Sequence, residues 1–256
     1  GESVNYLKIG KMVERERLLS QELTQEMKLA PELMAYILPL DYSDEMIRFT
    51  SKVKAYNHLG GDYVCFEQIS ESSYAMAIID VVGHSTSAAL IGLKAISVFQ
   101  SVIYDNNLET SVSRVNIALN QINEVDISNI HYLSGIFMVI NIKEKTISYI
   151  NAGHPAFYVK QEDNLLKVES NHMLLGITSH KAFKVEVIPL NRVSYLFLYS
   201  DGLVENEKDQ LKDSEERLEQ ALLNAENSDQ AFMESVLDEM IGDGEYSDDI
   251  TLCYIE

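Results

Sequence analysis

Four aspartates stand where the sequence is least hospitable to charge. Asp62 follows Gly60-Gly61, and Asp80 closes the apolar run Ala75-Met76-Ala77-Ile78-Ile79. Asp201 follows Leu196-Phe197-Leu198-Tyr199-Ser200 and precedes Gly202, and Asp248 lies in Ser247-Asp248-Asp249-Ile250-Thr251. Taken singly, an Asp beside a Gly is an ordinary turn residue. As a set they resist that reading, because a carboxylate at the end of a buried strand is costly to desolvate unless something cationic meets it. The chain has 20 Lys and Arg against 40 Asp and Glu, and no basic residue flanks these positions. Hard oxygen donors without a His/Cys cluster suit Mg2+ or Mn2+ rather than zinc. Two such ions about 3.5 to 4 Å apart lower the pKa of a bridging water and clamp an in-line phosphoryl displacement. Hydrolysis of a phosphate ester is the natural reaction of such a set.

The elements that must position these residues follow from periodicity. Residues 4–38 are rich in Glu, Lys, Leu and Met, with Leu19, Leu23 and Met27 at spacing four on one face, so a long helix is expected there, broken at Pro31. It reads equally as a signalling linker or as an ordinary amphipathic helix packed on the domain. After Pro39 come short β-prone runs at 48–57, 63–69 and 73–82, then helical periodicity over 85–104 and 109–125, with Thr110 or Ser111 as cap. Strands are expected again at 131–140, 146–151, 156–160, 184–189 and 193–199, helices around 215–224 and 229–240, and a last strand at 250–255. Runs of strands punctuated by helix pairs, without strict alternation, argue for an α+β layered domain with antiparallel sheets. The expected organisation is a helical linker or regulatory segment over 1–38 and one catalytic domain over 39–256.

Composition narrows the partners. A net charge of -20 makes nucleic acid a poor partner, because phosphate backbones are repelled rather than neutralised. The longest uninterrupted apolar stretches fall short of the roughly 18 to 20 residues that cross a bilayer, so no membrane span is expected. Cys65 and Cys253 sit far apart in apolar runs and read as small core residues in a reducing cytoplasm. The chain starts with Gly1-Glu2 and shows no signal peptide, which suggests a piece of a longer regulator, one that can itself be membrane-attached.

The order of the motifs resembles a known family, the metal-dependent serine/threonine protein phosphatases of the 2C-like fold, in their bacterial sporulation and stress-response (SpoIIE/RsbU-like) branch. The resemblance covers about 38–256. Gly60-Gly61-Asp62-Tyr63 and Asp80-Val81-Val82-Gly83-His84, followed by Ala88-Ala89-Leu90, are similar to the first two metal motifs. Tyr132-Leu133-Ser134-Gly135, Asn151-Ala152-Gly153-His154-Pro155 and Leu174-Leu175-Gly176 resemble the middle. Ser200-Asp201-Gly202-Leu203-Val204-Glu205 and Asp248-Asp249-Ile250-Thr251 resemble the last two metal motifs. The resemblance implies a sandwich of two antiparallel sheets flanked by helix pairs, and two Mn2+ or Mg2+ ions. Asp80 is implied to bridge both, Asp201 and Asp248 to complete one site, and Asp62 with the Val81 backbone carbonyl to serve the other, with Asp249 an alternative member of its pair. The implied substrate is phosphoserine or phosphothreonine on a protein, commonly a small anti-sigma-factor antagonist, and the implied upstream partner is a sensory domain or activator. The helix pair after His84 and the N-terminal helix are implied as a switch, and a coiled coil of that helix as a route to a homodimer. One departure stands out: the family usually has Gly after Gly83-His84, whereas this chain has Ser85, which implies weaker or differently regulated activity at most.

Other readings remain. Gly83-His84-Ser85 lacks the Gly two residues beyond the Ser that a nucleophile elbow needs, since Ser87 is there. His84 and His154 each follow a Gly at a strand end and either fix a turn or orient a metal-bound water or a carboxylate. A small-molecule phosphoesterase is a further reading, and a catalytically weak or inactive phosphatase-fold scaffold is the alternative from a different class.

Overall fold

The computed structural model describes residues 41–56, 60–83, 86–105, 107–125, 130–162, 164–179, 182–205, 211–224, 229–242 and 246–256. The expectations for the helix over 1–38 and for His84 and Ser85 lie outside the described residues.

Alternation of apolar and smaller or polar residues builds two sheets. One holds, in spatial order, β1 (Asp41–Ser43), β2 (Arg48–Lys54), β11 (Ile250–Ile255), β10 (Val193–Tyr199), β7 (Phe157–Gln161) and β8 (Asn164–Val168). The other holds β3 (Asp62–Ser70), β4 (Ser73–Val81), β5 (Leu133–Asn141), β6 (Thr146–Ala152) and β9 (Glu186–Pro189). Every pairing is antiparallel. Because side chains alternate faces, Val64 and Phe66 of β3, Met76 and Ile78 of β4, and Ile136 and Met138 of β5 share one face. They meet Phe49, Leu196, Leu198, Cys253 and Ile255 of the opposite sheet, with Phe49 stacked on Phe66 at 4.5 Å. This is the sandwich core.

Helices cover the outer faces. The helices α1 (Thr86–Ile103) and α2 (Leu108–Val125) lie on the β3–β4–β5 sheet, and α3 (Leu211–Asn224) with α4 (Asp229–Met240) covers the other. On that second face Tyr158, Tyr195, Phe197, Tyr199 and Tyr254 form an aromatic layer against Leu218, Phe232 and Val236. The α+β sandwich with flanking helix pairs expected from the sequence is the fold observed.

The details depart in three places. Asn107 caps α2, its Oδ1 accepting from the Thr110 amide at 2.8 Å, where Thr110 or Ser111 was expected as the cap. The edge strands β1 and β8 were not expected; each is short and partly exposed, so neither has the apolar run that marks a buried strand. Finally, α1 is 18 residues long with mean hydropathy 1.5, enough by length and composition to cross a membrane, contrary to the expectation of no such stretch. Its apolarity has a local cause: Ala88, Ala89, Ile91, Ala95, Ile96 and Phe99 are buried beneath it, and Phe99 meets Phe137 of β5 at 5.3 Å.

Candidate metal centre

The inner face that builds the core also delivers the carboxylates. Asp62 pairs directly with Asp80 across β3 and β4, and Asp80 pairs with Ser134 across β4 and β5. By strand parity all three continue the rows of Val64, Ile78 and Ile136, so they point into the sandwich at the end of the sheet. On the opposite sheet Ser200 and Thr251 continue the rows of Leu198 and Cys253, joined by Thr251 N to Ser200 Oγ at 2.9 Å. The core therefore ends in a polar cap shared by both sheets.

Directly opposed carboxylates repel, and side chains facing one another on adjacent strands lie about 4.5 to 5.5 Å apart at Cβ. Burial first, then the Asp80 and Asp249 charges, holds the Asp62 carboxyl well above its ordinary range, with the Ser200 and Thr251 hydroxyls partly offsetting the rise. Burial, followed by Asp201, Asp248, Asp249 and Glu205, pushes Asp80 up to about 7. Burial with Glu205 and Asp248 pushes Asp201 up to about 6. Among the described residues, no Lys, Arg or His forms an ion pair with any of these groups. Asp62 Oδ2 is buried without a hydrogen bond, an atom that a cation would satisfy.

A second observation bears on fit. A Cβ added to Gly61 would lie 2.6 Å from the Val81 carbonyl oxygen, 3.2 Å from that of Gly83 and 3.4 Å from Asp80 Oδ1. Three hard oxygens thus surround a space that any side chain at position 61 would fill, which suits Mg2+ or Mn2+. The same close approach lets Val81 N donate to the Gly61 carbonyl at 3.1 Å. Among the described residues, however, no three His, Cys, Asp or Glu side chains are gathered closely enough to grip an ion at once.

The remaining expected residues divide by role. Asp201 opens a 3-10 turn (Asp201–Leu203), its carbonyl accepting from Glu205 N at 2.8 Å. Asp248 is exposed, with Oδ1 accepting from the Asp249 amide at 2.8 Å. Asp249 is buried and otherwise engaged: Oδ1 accepts from Tyr56 N at 2.7 Å and Oδ2 from Gly61 N at 2.6 Å. It braces the end of β2 and the start of β3, so of the pair Asp248 is the one left open. His154 is buried, with Nδ1 2.7 Å from Ser134 Oγ. Burial pushes it down to about 3, the Tyr199 carbonyl opposing, so the ring is neutral. Its amide is held by Asn151 Oδ1 at 3.0 Å. It fixes a turn and holds the serine beside Asp80. Sequence reading gave no role to Ser134 or Glu205; the only signal was Ser134's parity with the apolar row of β5, and Glu205's position one turn after Asp201.

Comparison with known proteins bears on the family and the fold. Residues 70–256 match the family described as Stage II sporulation protein E (SpoIIE). Phosphoserine phosphatase RsbP of Bacillus subtilis is 26% identical over 183 residues, which are 71% of this chain and 45% of that protein. Phosphoserine phosphatase RsbU of the same organism is 27% identical over 194 residues, 74% of this chain and 56% of that protein. The chain thus spans about half the length of these relatives. The crystallised PP2C phosphatase domain of SpoIIE from Bacillus subtilis, with a fragment of its regulatory domain, superposes with a TM-score of 0.67 at 16% identity, covering 84% of this chain and 64% of that one.

The raised carboxyls have a thermodynamic consequence. A folded-state value near 7 against 3.8 for the free group means the folded chain binds more protons than the unfolded chain between those limits. The Asp80 contribution to the stability of the chelator-treated protein is therefore fully present below about pH 4 and is lost as pH rises through 7, with Asp201 adding a parallel loss around pH 6. Asp80→Asn, which cannot ionise, is expected to raise the melting temperature of the chelated protein at pH 8 by several degrees and to change it little at pH 5. Thermal melts at the two pH values check this. Gly61→Ala is expected to weaken Mn2+ binding by calorimetry at least about tenfold, since its methyl group fills the space bounded by the Val81 carbonyl.

Proposed function

The chain belongs to the Stage II sporulation protein E family, and on that premise we propose that it is a metal-dependent protein phosphatase that hydrolyses phosphoserine or phosphothreonine on a regulatory protein. The observation that carries the reading is the buried Asp62 with the half-buried Asp80 and Asp201, contributed by both sheets and raised above the ordinary carboxyl range, with no ion-pair partner among the described residues. Phosphatases of this fold are metal-dependent. Asp80 would serve both Mn2+ or Mg2+ ions, Asp201 and Asp248 one of them, and Asp62 with the Val81 carbonyl the other. When bound, such ions supply an acidified water and positive charge for the phosphoryl oxygens. The chain's own residues hold that arrangement in place: Asp249 ties two strand ends, the Ser134–His154 pair fixes the neighbour of Asp80, and the Ser200–Thr251 link joins the two strand ends of the second sheet.

The phosphoserine specificity is carried over from RsbP and RsbU, which bear it in their names. A small anti-sigma-factor antagonist is the substrate type proposed, with residues 39–256 as the catalytic domain. Residues 1–38 are proposed as a regulatory segment coupling it to an upstream sensor, and as a route to a homodimer. Buried free thiols at Cys65 and Cys253 fit a cytoplasmic setting. One observation favours a second reading, a weak or inactive scaffold: no three carboxylates are pre-gathered among the described residues.

With 2 mM-range Mn2+, on the order used for weak divalent sites, p-nitrophenyl phosphate and a phosphoserine peptide are both expected to be hydrolysed. Chelator, Asp80→Asn and Asp201→Asn are each expected to lower turnover at least about a hundredfold. Calorimetric Mn2+ binding without any turnover would support the scaffold instead.

A further inference from the structure

One face of the sandwich carries a polar stripe that neither the core nor the metal centre uses. On α2, Asn116, Asn120 and Asn123 recur at helical spacing and bind mainly backbone, with Asn120 Nδ2 also donating to Asn116 Oδ1 at 3.4 Å. Asn116 Nδ2 donates to the Thr178 carbonyl at 3.0 Å, and its Oδ1 accepts from Gly176 N at 2.8 Å. Asn120 Nδ2 also reaches Thr178 O, at 3.1 Å. Asn123 Nδ2 donates to the carbonyls of His131 and Gly176, at 2.9 and 3.1 Å, and its Oδ1 accepts from His131 N at 2.8 Å. The segment around 171–178, which lacks regular structure of its own, is thereby pinned to a helix.

Pinning that segment shapes a groove of about 710 Å³, lined among others by Asn116, His172, Met173, Leu174, Thr178 and Phe183. None of its described lining residues is charged, in a chain of 40 acidic residues. His172 is fixed in it by Nε2 to the Lys184 carbonyl at 3.0 Å and by an edge contact with Phe183 at 5.3 Å. On the same segment Met173 is 66% exposed and Ile177 44% exposed, apolar side chains left in water. Single exposed apolar residues are common, but two on a backbone held by four asparagine hydrogen bonds, beside a groove with no charged side chain among its described lining residues, form a preformed apolar ledge.

The ledge is continuous with the metal centre. Leu175 exchanges both backbone hydrogen bonds with Leu133, at 2.9 and 3.0 Å, immediately before Ser134, the neighbour of Asp80. His172 bridges Ala152, and a Cβ on Gly153 would lie 2.7 Å from Leu174, so Leu174 rests over the turn that presents His154.

We propose that this groove and its Met173–Ile177 ledge receive the polypeptide flanking the phosphorylated residue, selecting protein substrates with uncharged, apolar side chains beside the phosphoserine. The inference rests on the phosphatase reading. An acidic flank is kept away by the acidic residues of the site, and a neutral apolar one is accepted where the described lining carries no charge. The segment meets a surface already ordered by the asparagines, so little entropy is lost in shaping it.

The test uses two phosphoserine decapeptides of equal charge, one with leucines and one with asparagines flanking the phosphoserine, with p-nitrophenyl phosphate alongside in Mn2+. The wild type is expected to favour the leucine peptide by at least about tenfold in kcat/KM, the scale of one buried aliphatic side chain. Met173→Asn with Ile177→Asn is expected to bring that ratio close to one; because the ratio is taken within one enzyme, a general loss of activity cancels. Asn123→Ala, which frees the backbone without touching the ledge, is expected to reduce the ratio partly. Hydrolysis of p-nitrophenyl phosphate with no leucine preference, or a preference that survives the double substitution, overturns the inference and leaves the phosphatase reading standing. Absence of p-nitrophenyl phosphate hydrolysis overturns both.

Discussion

Repulsion among carboxylates at one end of the sandwich governs the rest of this structure. Asp62 and Asp80 are paired across adjacent strands and face into the core, and Asp201, Asp248 and Glu205 add negative charge from the second sheet. Among the described residues no Lys, Arg or His forms an ion pair with these carboxylates, and such an arrangement weakens the fold unless protons or cations fill it. Neutral pH supplies too few protons to satisfy all of these groups, so divalent metal is the natural complement.

The remainder of the architecture positions that end. The aromatic and aliphatic core fixes the two sheets at one spacing along most of their length. At the polar end Asp249 spends both oxygens on the amides of Tyr56 and Gly61, and Gly61 leaves space beside the Val81 carbonyl. Gly202 permits a comparable approach, since a Cβ there would lie 2.1 Å from the Asp249 carbonyl oxygen. Gly61 lets the start of β3 approach the end of β4, Gly202 lets the turn after β10 approach Asp249, and Asp249 ties Tyr56 to Gly61, so a side chain at either glycine or loss of that carboxylate displaces backbone beside Asp80 or Asp201.

Much of this was legible in the sequence because charge at the end of an apolar strand is conspicuous. Asp80 after five apolar residues and Asp201 after a run ending in Tyr199 announce themselves, as do the strands that carry them. Runs of strands punctuated by helix pairs also revealed the antiparallel layers. Contacts between residues far apart in the chain left no such mark. The brace from Asp249 to Tyr56 and Gly61 spans separations of 193 and 188 residues, and nothing local distinguishes it from the neighbouring Asp248. The asparagine stripe of α2 reads as an ordinary solvated helix face, because periodicity is counted on apolar positions and its partners are backbone atoms of a segment without a pattern. The short edge strand β8 was hidden for the opposite reason: half exposed, it never gathers a continuous apolar run.

The most direct measurement is calorimetric titration of Mn2+ into the protein at pH 6.5, repeated in buffers of different ionisation enthalpy. If the carboxylates hold protons until metal displaces them, binding releases about one proton or more per chain, seen as a buffer-dependent heat, and the release shrinks by pH 8.5. Binding with no proton release at pH 6.5, or no binding at either pH, would contradict the claim that these carboxylates form a site built for cations.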